Sequence, residues 1–260
     1  MSQEPDSIIS VRGLKIGYGE NVILQNINFE VRRGEVFVIL GGSGSGKSTL
    51  LKTLIGLYAP LEGEVWIAGH NLLTDDDDER MALLRKIGVL YQGGALFGSM
   101  SLLENVRLPL DELTVLPEPL KELMALSRLK LVGLGDAAQK MPSELSGGMQ
   151  KRAGIARAMA LDPQILFLDE PSAGLDPVTS AGLDQLITDL AHHFEITFVI
   201  VTHELASIYN IADRCIMLDS RTRTIIAEGK PDELRQQASD PWVLQFFNRE
   251  SEPTNAAHPN

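Results

Sequence analysis

Apolar positions run through this chain in three different rhythms, and each rhythm predicts a layer of structure. Near the amino end, "VILQNINFEV" (22–31) alternates apolar and polar residues, the period of a half-buried antiparallel strand. "IISVRGL" (8–14) reads as a companion strand. "VFVIL" (36–40) is apolar throughout, as in a strand covered on both faces. "GEVWIAGH", "IGVLYQ" (87–92), "ILFLD" (165–169) and "ITFVIVT" (196–202) predict further strands. A helix is expected from Lys47 to Leu57, ending at Gly56 or Pro60, and another from about Pro177 to His193. Strands parted by helices make a parallel α/β core the expected fold. Between them, Gly93 to about Met141 turns leucine-rich and helical, and "PSELSGG" caps a further helix over roughly 146–161.

The expected organisation is one domain: a core from 1–92 and 160–238, a helical insertion over 93–159, and an extension over 239–260. The strands "RCIMLD" and "RTIIAEG" lead into a terminal helical stretch. There, "DPWVLQFFN" (240–248) leaves two readings open, docking on a partner or covering the protein's own core. The last ten residues, "SEPTNAAHPN", are expected to be disordered.

Composition narrows the partners. The 260 residues carry 23 basic and 35 acidic side chains, a net charge of −12, and no basic cluster beyond pairs such as Arg32-Arg33 and Lys151-Arg152. Nucleic acid is therefore not an expected partner. A lone cysteine, Cys215, precludes an intrachain disulfide and fits a reducing compartment. The opening "MSQEPDSIIS" lacks the basic and apolar regions of a secretion signal, and no apolar run is long enough to span a bilayer, so a membrane role must come through a partner. The acidic run Asp75 to Glu79 invites a metal-site reading. It reads better as a helix start, with Thr74 as cap and "RMALLRKI" at helical spacing behind it.

Two stretches carry chemistry. "LGGSGSGKSTLL" (40–51) holds Gly41-x4-Gly46-Lys47-Ser48 between an apolar strand and a helix, the pattern and context of a phosphate loop. Gly41, Gly42, Ser43, Gly44, Ser45 and Gly46 would turn backbone amides around phosphate oxygens, with Thr49 in the new helix behind them. Lys47 would reach the β- and γ-phosphates and Ser48 would coordinate Mg²⁺. A flexible linker is excluded by the buried strand it would interrupt. "ILFLDEP" supplies the second site at a strand's carboxyl end: Asp169 to hold Mg²⁺ and Glu170 to polarise an attacking water.

"LSGGMQKRAGIARAMALDPQILFLDEPSAGLDP" (145–177) strongly resembles the ATP-binding-cassette family, and the likeness extends over about residues 7–235. The resemblance implies a nucleotide-hydrolase core with an amino-terminal antiparallel β-subdomain and an inserted helical subdomain. It implies Tyr18 as the aromatic stacked on adenine, Gln92 as a catalytic glutamine that also contacts Mg²⁺ and nucleotide, Asp176 as the D-loop aspartate and His203 as the switch histidine. Ser146, Gly147 and Gly148 match the family's signature, with Met149 where glutamine is usual. That second amide-rich helix start cannot share one phosphate with the loop in a single compact fold. The family's arrangement is then a head-to-tail pair of copies with two ATP between them.

Within the family, "YQGGALFGSMSLLENVRLPL" departs from the common importer form, with Gly98 where proline follows "LF". Together with "LSGGM-x-KR", "MPSELSGGM" and "DPWVLQFF", it is similar to the cassette subunits of MCE-type transporters, above all those of the Mla phospholipid system of Gram-negative envelopes. This implies an integral membrane permease, an MCE-domain lipid-binding protein and a STAS-domain protein as partners, and a place on the cytoplasmic face of the inner membrane. The rival expectations are a soluble cassette ATPase uncoupled from transport, a cassette for another substrate, and a non-hydrolysing nucleotide-gated scaffold.

Overall fold

In the computed structural model, residues 7–74 and 76–248 are described. β3 (Val36–Gly41) is buried at all six positions and lies in the middle of a six-stranded sheet. Parallel partners flank it: β9 (Arg214–Asp219) on one side and β8 (Thr197–Val201) on the other. Beyond β8 come β7 (Ile165–Asp169) and β6 (Ile87–Leu90), also parallel. Only the edge strand β10 (Thr224–Gly229) runs antiparallel, against β9.

Side-chain alternation divides this sheet between two cores. Phe37 and Ile39 of β3, Ile165 and Phe167 of β7, and Val199 and Val201 of β8 face one cluster. Val38 and Leu40, Leu166 and Leu168, and Phe198 and Ile200 face the other. The period of two thus explains why these strands read as unbroken apolar runs: each face is someone's core.

The first cluster is closed by a four-stranded antiparallel sheet and two helices, the second of which (residues 77–84) adds Leu83. β1 (Ser7–Tyr18) pairs with β2 (Asn21–Arg32) and β4 (Glu62–Ile67), and β5 (His70–Asn71) forms the edge. α1 (Lys47–Leu54) adds Leu50, Leu51 and Leu54. Gly56, at φ +76°, follows the helix end and accounts for a finish earlier than Leu57.

The second cluster is closed by helices. α3 (Leu102–Leu113), α4 (Glu118–Leu131) and α5 (Gly147–Ala158) form the leucine-rich block. Ser101 and Glu104 start α3 with a reciprocal capping box. α6 (Pro177–Phe194) follows β7 and α7 (Leu205–Ile211) follows β8. α8 (Pro231–Gln237) and α9 (Pro241–Asn248) complete the layer, and α9 buries Val243 and Phe247 in this protein's own core.

One expectation needs correction. The helix after the acidic run, α2 (Asp77–Leu84), is capped by Asp76, whose carboxylate accepts from the backbone N–H groups of Asp78 and Glu79. Thr74 Oγ1 instead accepts from the Asp76 N–H at 3.3 Å, one step outside the helix. An ionised aspartate is the stronger acceptor at a positive helix end. Asp75 and the tail "SEPTNAAHPN" lie outside the described residues. Among the described residues no group of acidic, histidine or cysteine side chains forms a metal-binding cluster, and no helix is long and apolar enough to cross a membrane.

Candidate functional site

The carboxyl ends of β3, β8 and β7 are neighbours: Ile39 is opposite Val201, and Val201 is opposite Asp169. Whatever leaves these strand ends must therefore meet. Residues 42–46 leave β3 and re-enter as α1. Gly41, at φ +151°, has no room for a side chain, since a Cβ would lie 2.4 Å from Ser45 Oγ and 2.6 Å from the Leu218 carbonyl oxygen. Gly46 starts α1 at φ +95°, where a Cβ would fall 2.9 Å from Ile23. Both close approaches require glycine.

The start of α1 has no side-chain cap and no acidic residue in its first turn. Its first amides are left open and the helix dipole uncompensated, which is the electrostatic form of an anion site. Lys47 folds over the loop, its Nζ donating to the carbonyls of Gly41 at 2.8 Å and Gly42 at 3.0 Å. Burial lowers its pKa, while Glu170 and Asp169 pull it back up. The Lys47 ammonium is thus within electrostatic reach of both carboxylates. Ser45 Oγ is buried without a hydrogen-bond partner, whereas Ser43, Gly44 and Ser48 are exposed and Gly42 and Thr49 half-buried.

Asp169 ends β7, and its carboxyl is pushed up from the ordinary range by burial first and by Glu170 second. Glu170 sits at φ +46°, a region that a non-glycine residue enters only when its surroundings hold it there. Four contacts do so. Its N–H donates to the Val201 carbonyl at 2.8 Å, its Oε1 meets His203 Nδ1 at 2.8 Å, and its own carbonyl accepts from the Ala173 N–H at 3.2 Å and from Lys151 at 3.3 Å. Oε2 is buried with no partner.

The remaining predicted residues are placed as follows. Tyr18 ends β1 with half of its surface exposed and its ring roughly perpendicular to that of Tyr58, centroids 5.6 Å apart. Gln92 is exposed just past β6, its carbonyl bonded to Lys151 Nζ. Ser146 caps α5, accepting from the Met149 N–H at 3.3 Å. Gly148 packs so closely on α6 that a Cβ would lie 2.3 Å from the Thr179 methyl. Asp176 caps α6, bonded to the N–H groups of Val178 and Thr179 and to the Thr179 hydroxyl at 2.6 Å, which lowers its pKa. Hence one chain gathers the loop, Asp169, Glu170, His203 and Gln92 at one edge. It joins the signature to the Asp176 turn in a second place.

Three residues at the site were not singled out by sequence. Lys151 and Arg157, both on α5, hold the loop after Gln92: Arg157 donates to the carbonyls of Ala95 at 2.7 Å and Gly94 at 3.1 Å. Trp242, on α9, lies against Gly42 of the phosphate loop, 3.8 Å from where a Cβ would be. The basic pair Lys151-Arg152 was visible only as composition, because its partners lie far away in the chain.

A phosphate-cradling loop beside a carboxylate pair and a histidine, with a second glycine–serine helix start elsewhere, defines an ATP-binding cassette. The family profile for ABC transporters matches residues 24–173, and the chain belongs to that family as an ATPase. Solved structures agree in fold. CbiO1 from Clostridium perfringens, part of an ABC transporter complex, superposes with a TM-score of 0.82 at 30% identity, covering 89% of this chain and 92% of that one. The cassette MJ0796, seen as a dimer in a post-hydrolysis state bound to ADP and Pi, gives 0.76 at 34% identity, covering 85% and 98%.

Among curated relatives, the intermembrane phospholipid transport system ATP-binding protein MlaF of Haemophilus influenzae is 39% identical, covering 95% of this chain and 92% of its own. The Escherichia coli K12 MlaF is 38% identical, with 95% and 91% covered. A probable ribonucleotide transport ATP-binding protein, mkl of Mycobacterium leprae, is 42% identical over 92% of this chain. This chain spans about two thirds of the length of the mycobacterial relatives it matches, 68% or 66%.

Proposed function

We propose that this chain powers phospholipid transport between the membranes of a Gram-negative envelope, as the ATPase subunit of an MCE-type transporter. The observation that carries the reading is similarity to the MlaF proteins along nearly all of both chains, 95% of this chain against 92% of the relative. The loop form around Gly98, where a permease helix would dock, agrees with it. The partners are a second copy, an integral permease, an MCE-domain lipid-binding protein and a STAS-domain protein. The place of work is the cytoplasmic face of the inner membrane.

In this reading ATP lies with its adenine on Tyr18 and its phosphates in the amides of Gly41 to Thr49. Lys47 gives up its carbonyl partners for the β- and γ-phosphates. Ser48, Asp169 and Gln92 form an oxygen-only donor set of the kind Mg²⁺ takes, and the burial-raised carboxyl of Asp169 fits a group awaiting a cation. Bound there, Mg²⁺ would neutralise phosphate charge as it develops. Glu170 takes the proton of the attacking water at Oε2, the oxygen left without a partner, while Oε1 stays on His203. Ser146, Gly147 and Gly148 of the second copy close over the γ-phosphate, and Asp176 lies at that shared seam. Binding draws the copies together, and hydrolysis releases them.

The test is purification from membranes, with identification of bound subunits and of the small molecules they carry. The reading expects a permease, an MCE-domain protein and glycerophospholipid. The name of the mkl relative, 42% identical, favours a second reading in which nucleotides are carried. Nucleotide in place of lipid in the permease fraction would select it, and recovery of the chain without membrane subunits would reject both.

A further inference from the structure

α5 begins with the signature serine, yet one turn later it turns a lysine inward. Lys151 is 6% exposed. Its ammonium donates to the carbonyl of Gln92 and, at 3.3 Å, to the carbonyl of Glu170. Burying an ammonium is costly even when it is hydrogen-bonded. Burial lowers this lysine's pKa, opposed by Asp169 and Glu170 acting through space. The contacts are thus poorly explained by stability alone.

What they do explain is the conformation of Glu170. At φ +46° its backbone is strained, and the direction of its carbonyl is part of what holds that conformation. Its N–H is held by the backbone of β8, its side chain by His203, and its carbonyl by the Ala173 N–H at 3.2 Å together with this ammonium, the contact among these that comes from the helical block. The same ammonium holds Gln92, and Arg157 on the same helix holds the next carbonyls of that loop. We propose that Lys151 is a positioning residue for hydrolysis: a strut that aims Glu170 and ties it to the Gln92 loop, so that movement of the helical block re-aims the base. This rests on Glu170 being that base.

The experiment compares Lys151→Met, Lys151→Arg and Lys151→Gln in the full-length chain, purified with whatever membrane subunits accompany it. ATPase kcat and KM, equilibrium ATP affinity and melting temperature are measured for each. The strut predicts that Lys151→Met lowers kcat by about tenfold or more, the scale of a lost charge-assisted hydrogen bond. ATP affinity should stay within about twofold, and the rate should be lost at temperatures well below the variant's melting point, so that any stability lost from the two carbonyls left without a donor is read separately. Lys151→Arg should recover most of the rate. Where Lys151→Met does not fold, Lys151→Gln, which retains one N–H donor, replaces it and should lose rate at unchanged affinity. In a Glu170→Gln background, Lys151→Met should cost nothing further, because the strut acts through the carboxylate. Unchanged kcat in Lys151→Met, a change in KM alone, or a further loss in the double variant would overturn the proposal. Turnover that survives Glu170→Gln alone would instead remove the base, a separately visible failure.

Discussion

The chain builds two glycine–serine helix starts, and it leaves them in opposite states. At α1 the loop is wrapped, Gly41 and Gly46 are forced by contacts under 3 Å, its amides are uncapped and a lysine already lies across it. At α5 the start is plain: Ser146 caps its own helix, Gly147 lies against Leu175 and Gly148 packs on α6. The first is a nearly complete site for a polyphosphate. The second offers two or three amides and a hydroxyl, enough to finish a site but not to make one. The difference teaches that one copy of this chain holds a cradle and a second, incomplete anion-binding helix start; in the proposed reading that second start closes over another copy's cradle.

The largest way to break the comparison is at the cradle's chemistry. Glu170→Gln should lower kcat by about 10²–10⁴-fold, the range for a lost general base, while ATP affinity is retained. Steady-state turnover beside equilibrium binding checks it. Next is the lid. Ser146→Arg should abolish hydrolysis and leave single-copy ATP binding intact, so full activity in that variant would reject a shared site. Smaller is the cradle's shape: Gly46→Ala puts a Cβ at φ +95° against Ile23 and Leu24, and should cost about 1–3 kcal/mol in denaturant unfolding together with weakened ATP binding.

Smaller still is the electrostatic cost of an empty cradle. The Asp169 carboxyl titrates above its unfolded value in the folded protein, so its contribution to stability is full at low pH and is lost as pH rises through the raised pKa. Asp169→Asn should therefore melt higher than the parent at neutral pH without nucleotide. That advantage should vanish in acid, and hydrolysis should be absent. Melting curves across pH read this directly.

How much of this was legible in sequence follows from range. The phosphate loop could be read because its glycines, lysine and serine are contiguous, and β7 because its apolar run ends on its two carboxylates. α7 went unread: seven residues are too few for helical periodicity to stand out. The cap of α2 was placed on Thr74 because composition does not rank an aspartate against a threonine two residues away. Lys151 escaped for a different reason. Its partners, Gln92 and Glu170, lie 59 and 19 residues from it, and they are carbonyls, which every residue has. Nor does any local pattern announce that Glu170 turns at positive φ, since β8, α5 and His203 hold that conformation together with the Ala173 N–H of the turn that follows. "DPWVLQFFN" left two readings open, and α9 settles its buried face, with Val243 and Phe247 in the core and Trp242 beside the phosphate loop.

The most direct test of the shared site is the solution mass of the Glu170→Gln chain with and without ATP, by light scattering alongside a nucleotide-binding titration. The account predicts that ATP doubles the mass, and that adding Ser146→Arg to the same chain leaves it at the single-copy mass with ATP still bound. A trapped chain that binds ATP and stays single, or a Ser146→Arg chain that pairs as readily as its parent, would contradict it.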